Sequence, residues 1–123
     1  MDITPLAFKN KKIINSYNEN SFTINTEVYG SKILLINDQV ISLENSSSNL
    51  SENDFNVFFN NHVDTEIILI GVGNSITSIS FDIKSKLKEL NISIDVMPSS
   101  AAIRTYNILT LEDRKVAALI SLL

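Results

Sequence analysis

The chain has 123 residues and a formal net charge of −4, with 44% hydrophobic and 20% charged residues. It contains no cysteine and a single histidine, His62. Disulfides, thiolate nucleophiles, Cys-ligated zinc or iron–sulfur centres and a multi-histidine metal site within one chain are therefore excluded. The acidic balance argues against a nucleic-acid binder, because phosphate neutralisation needs clustered Lys and Arg. Residues Met1 to Lys12 show no apolar run of signal-peptide length, and no segment reaches the ~20 apolar residues of a membrane span. Heavy use of Ile, Asn, Lys and Ser fits an AT-biased genome, and a bacterial cytoplasm is the expected location.

The first half reads as β-rich. Phe22, Ile24, Thr26 and Val28 alternate with polar residues, as in a half-buried strand. Gly30-Ser31 punctuates, Lys32 to Ile36 follows as a more buried strand, and Asn37-Asp38 marks a turn. Gln39 to Glu44 reads as its antiparallel partner, with Val40 and Leu43 inward. The polar, Ser-rich stretch Asn45 to Asn49 reads as a surface loop. Ser51 followed by Asp54 approaches a capping box, and Phe55, Phe58 and Phe59 at i, i+3, i+4 predict a helix with an aromatic stripe.

The second half reads as a βαβ unit extended by another helix and strand. Glu66 to Val72 is rich in β-branched residues. A helix follows over 80–90, with Ser80 as cap and Ile83, Leu87 and Leu90 on one face. Ile92, Ile94 and Val96 alternate as a strand parallel to the first. Pro98 ends it. Ser99 and Ser100 offer caps for a helix over 101–111, whose Ala102, Tyr106 and Leu109 share a face. Lys115 to Leu122 reads as the last strand.

Several residues invite chemistry. Gly71-Val72-Gly73 lies between strand and helix, where a dinucleotide fold places its phosphate loop, but position 76 is Ile, not the third glycine. The plain reading is a sharp turn off a buried strand. Asp95 at a strand end is a common feature. Ser75 and His62 form a triad only if geometry joins them, and a turn serine with a solvated histidine is the simpler reading. Glu52/Asp54 and Glu112/Asp113 sit near helix ends or turns, where carboxylates are solvated. Ser99 to Asn107 admits two readings: a core Tyr106 with a locally paired Arg104, or an Arg104 and helix start that form an anion-friendly or partner-facing concavity.

The order Glu66–Gly73, Asn91–Met97, Ala101-Ala102-Ile103-Arg104-Thr105-Tyr106-Asn107-Ile108-Leu109 and Glu112–Leu119 closely resembles the mitochondrial complex I (NADH:ubiquinone oxidoreductase) assembly factor 3 family. Its domain also occurs in the adipogenesis-associated Mth-domain proteins and in bacterial and archaeal proteins. Ile14 to Tyr17, Phe22 to Ile24 and Tyr29 to Leu34 look like the opening strands of that family. Val72 departs from the family's usual Gly-Thr-Gly.

The resemblance implies one Mth-type α/β domain over 1–123: three layers, β/β/α, with a mixed sheet and a C-terminal β-α-β-α-β segment. It implies a non-enzymatic protein without cofactor or catalytic set. Its implied partners are respiratory-complex subunits or a second assembly factor, with at most peripheral membrane contact. The residues it carries over are Arg104, Thr105, Tyr106 and Asn107, with Gly71 and Gly73 shaping the adjacent loop. The alternative is a small-molecule or anion binder, even a cryptic enzyme, using the loop after Gly71 to Gly73 and the helix start from Ser99 to Arg104.

Overall fold

The computed structural model describes residues 11–43, 50–73 and 79–122. Strands β1 (Ile14–Tyr17), β2 (Phe22–Ile24) and β3 (Glu27–Tyr29) form a small antiparallel sheet. A five-stranded mixed sheet is built from β4 (Lys32–Ile36), β5 (Gln39–Ser42), β6 (Ile67–Val72), β7 (Ser93–Met97) and β8 (Val116–Ser121), in the order β5-β4-β8-β6-β7. Helices α1 (Glu52–Asn61), α2 (Phe81–Glu89) and α3 (Ser99–Leu111) complete it. The two parallel pairs are β6 with β7 and β6 with β8.

The apolar runs of the sequence follow from burial on both faces of the large sheet. Leu34, Ile36, Ile68, Ile70, Ala117 and Leu119 face one side, under Phe55 and Phe58 of α1 and Ile83 and Leu87 of α2. Ile33, Leu35, Leu69, Ala118 and Ile120 face the other, under Ala102, Ile103 and Tyr106 of α3 and Ile14, Phe22 and Ile24 of the small sheet. The expected β/β/α layering is present, with α3 sharing the layer of the small sheet.

Three expectations need correction. The alternation from Phe22 to Val28 is not one strand but a hairpin. Asn25 and Thr26, at φ 49° and 78°, make its two-residue turn. That turn places Val28 opposite Thr23 on the face away from Phe22 and Ile24, so Val28 is exposed. The second turn, Asn37-Asp38, lies where expected, also at positive φ. Next, Ser99 and Ser100 do not cap α3 but lie inside it. The cap is Pro98, which supplies no side-chain bond. Finally, Gly71 does not turn. It is a strand residue, and a Cβ there would lie 2.9 Å from Ile120 Cγ2 and 3.1 Å from Ala102 Cβ. It lets α3 lie close on the sheet, and Gly73, at φ 69°, makes the turn. Asn45 to Asn49, Asn74, Ser75 and Ile76 lie outside the described residues.

Candidate functional site

The chain order creates a switch point in the sheet. From β6, α2 leads to the neighbouring β7; from β7, α3 passes over β6 to reach β8 on its far side. The chain therefore leaves β6 and β7 toward opposite faces, which opens a crevice at the carboxyl ends of these strands. A hollow of about 390 Å³ lies at this end, lined by Tyr17, Asn18, Glu19, Gly73, Pro98, Ser99, Ser100 and Leu122.

Ser99 ties the floor of this crevice together. Its hydroxyl accepts from the Gly73 N–H at 2.7 Å and donates to the Ser121 carbonyl. One side chain thus joins the ends of β6 and β8 to the start of α3. Its proton is committed to a carbonyl, so this hydroxyl is not held as a free nucleophile. Glu19 adds negative charge to the mouth.

The other candidate residues do not converge on the crevice. Tyr106 is buried at the opposite end of α3, beside a second hollow of about 260 Å³ that it lines with Lys11, Asp38, Thr110 and Arg114. Its hydroxyl donates to the Lys12 carbonyl at 2.8 Å. Burial raises the pKa of this phenol; a bond to Thr110 opposes the rise and the nearby Asp38 carboxylate adds to it. Asn107 bonds both backbone groups of Ile14: its Oδ1 accepts from the N–H at 3.0 Å and its Nδ2 donates to the carbonyl at 2.9 Å. Between them, Tyr106 and Asn107 hold the segment entering β1 against α3. Thr105 is half-buried and Arg104 exposed. Arg104 makes no ion pair or hydrogen bond with any described residue.

The sequence reading missed a buried ion pair. Asp54 is not solvated: Lys32 Nζ lies 2.8 Å from its Oδ2, and both side chains are 3% exposed. The same carboxylate completes the expected capping box by accepting from the Ser51 N–H at 2.8 Å. The signal was present in the register. Lys32 shares its strand face with Leu34 and Ile36, so its ammonium points under α1, where an inward-facing acid must meet it. His62 caps the C-terminus of α1, with Nδ1 2.7 Å from the Phe59 carbonyl. No described helix is long and apolar enough to cross a membrane.

Comparison with known proteins places this geometry in context. A model for a family of proteins of unknown function (DUF498/DUF598) matches residues 14–121. NADH dehydrogenase (ubiquinone) 1 alpha subcomplex assembly factor 3 of Rattus norvegicus is 28% identical over 106 residues, 85% of this chain and 57% of the relative. The chain thus spans little more than half of that relative's length. A Bartonella henselae structure described as an outer membrane protein is 27% identical, with a TM-score of 0.82 over 90% of this chain and 94% of that one. A Mth938-like domain of Bordetella pertussis shares 16% identity and the fold, with a TM-score of 0.79 over 98% of this chain and 90% of that one.

Proposed function

The chain belongs to the DUF498/DUF598 family, and on that premise we propose that it is a non-enzymatic binding protein that assists assembly of a membrane respiratory complex from the cytoplasmic side. The observation that carries this reading is the division of labour along α3. Ser99, Tyr106 and Asn107 are committed to bonds within the chain. Arg104, in the same stretch that resembles the assembly factors, is left facing solvent. An always-charged, multidentate group without a partner among the described residues suits recognition of another protein's carboxylates. Membrane contact is then peripheral and made through the partner. The similarity to the rat assembly factor supports this role.

The test is capture of tagged protein from its native host under mild crosslinking, together with deletion of the gene. Complex I subunits are expected in the captured material, and assembled complex I should fall on deletion. Normal complex I levels after deletion and no subunit recovered reject the proposal.

The hollow at the switch point favours a second reading, a small-molecule site, because open α/β sheets place ligands there. Of the residues named for it, Gly73 and Ser99 line the hollow and Arg104 does not. Chemical-shift changes confined to Tyr17, Gly73 and Ser100 on adding a panel of small anions and nucleotides would support it.

A further inference from the structure

The hollow beside Tyr106 lies at the amino ends of β6 and β8, where three turns converge with the segment entering β1. The β4–β5 turn brings Asp38, the approach to β6 brings Asp64, and the link from α3 to β8 brings Asp113, Arg114 and Lys115; Lys11 completes the rim. The rim thus holds three carboxylates and three cations. The three aspartates stand at φ 60°, 60° and 62°, a left-handed backbone that Asp tolerates and that fixes where each carboxylate starts. The floor includes the buried hydroxyl residues Tyr106 and Thr110.

Only one pair on this rim is closed. Lys11 Nζ lies 2.7 Å from Asp113 Oδ1. That bond raises the pKa of Lys11, and the charge of Asp38 raises it further, so Asp38 lies within electrostatic reach without contact. Asp38, Asp64, Arg114 and Lys115 make no ion pair with any described residue. Two carboxylates and two cations therefore face one hollow without neutralising each other. We propose that this hollow is a binding site for a small zwitterion of the free α-amino acid class, its ammonium toward Asp38 and Asp64 and its carboxylate toward Arg114 and Lys115. One such ligand answers both signs at once. A simple anion would meet the two aspartates, and a simple cation would meet Arg114 and Lys115. No group of three acids or histidines among the described residues is placed to hold a metal ion. The volume of about 260 Å³ has room for roughly nine waters at ~30 Å³ each, which suits an amino acid and is small for a nucleotide. This site is separate from the switch-point crevice, and the inference does not rest on the assembly role.

The test is amide chemical-shift titration of the purified chain with L-alanine, L-serine and L-glutamine. Acetate and methylammonium, which each carry half of the zwitterion's charge, are titrated in parallel at matched ionic strength. At least one amino acid is expected to give saturable shifts centred on Asp38, Thr65, Arg114 and Lys115, with a Kd on the order of 1 mM. Acetate and methylammonium, alone or mixed, should give none that saturate over the same range. Asp64→Asn and Arg114→Gln should each weaken binding about tenfold. Both residues are exposed, so melting temperatures near the wild type should confirm folded variants. No saturable shift from any of the three amino acids, acetate or methylammonium binding as well as they do, or unchanged affinity in both variants overturns the proposal.

Discussion

On one face of the large sheet, α1 and α2 close over the strands with aromatic and aliphatic side chains around a buried ion pair. On the other, α3 and the small sheet close over a second apolar cluster that is pinned by hydrogen bonds from α3 to the backbone of distant segments. The first face depends on one charge pair inside a conventional core. The second uses polar residues of α3 as fasteners, while Arg104 on the same helix faces solvent. The two faces should therefore fail differently when they are altered.

The largest effect is expected on the first face. Asp54→Ala leaves the Lys32 ammonium buried without its counter-charge and breaks the capping box. It should cost about 3–5 kcal/mol in urea unfolding. Lys32→Met combined with Asp54→Leu should recover most of that loss, because a buried pair replaced by apolar groups is often neutral or better. A double variant as unstable as Asp54→Ala would show that the pair does more than neutralise itself.

On the second face, Gly71→Ala forces a methyl into the seam between β6 and α3 and should cost about 1–3 kcal/mol. Asn107→Ala strands both backbone groups of Ile14, and a loss of about 1–3 kcal/mol is expected. It should appear with faster amide exchange through β1. Unchanged protection of β1 would mean that Asn107 is not its fastener.

Tyr106→Phe should cost about 1 kcal/mol near neutral pH, and the wild type also carries a pH signature. Burial raises this phenol above its ordinary 10.0, so the folded state favours the neutral form. That contribution is fully present below pH 10 and is lost as pH rises through the folded value. Above pH 10 the wild type should lose about 1.4 kcal/mol per pH unit that Tyr106→Phe does not lose. Parallel alkaline stability curves for the two would place the hydroxyl in water. The smallest effect belongs to Arg104→Ala, expected within about 0.5 kcal/mol of the wild type, since its side chain is exposed and unpaired among the described residues.

Periodicity made much of this legible. The aromatic stripe of α1, the Ser80 cap of α2, the parallel β6 and β7 and the buried face of α3 all followed from spacing. Turn chemistry was half legible: Asn37-Asp38 announced itself, whereas Asn25-Thr26 lacked the glycine that usually marks a tight hairpin, and the alternation ran on through it. Gly71 was misread because a glycine for close helix approach and a glycine for a turn look alike without the facing residues. The Lys32–Asp54 pair was hidden because its two halves lie in different elements, and only their registers bring them together. For the candidate site, the sequence singled out α3 but not how its residues divide. Arg104 and Tyr106 are two positions apart, yet one faces solvent and the other is buried at 3% exposure. Which neighbour receives each polar group depends on the docking of β1, a contact more than 90 residues distant in the chain.

The most direct measurement compares capture of complex I subunits from the native host by the wild type, Arg104→Ala and Asn107→Ala, each with its melting temperature. Arg104→Ala should lose the captured subunits while melting like the wild type, and Asn107→Ala should melt lower yet still capture them when folded. Equal recovery by wild type and Arg104→Ala would contradict the claim that the outward side of α3 is where this protein meets its partner.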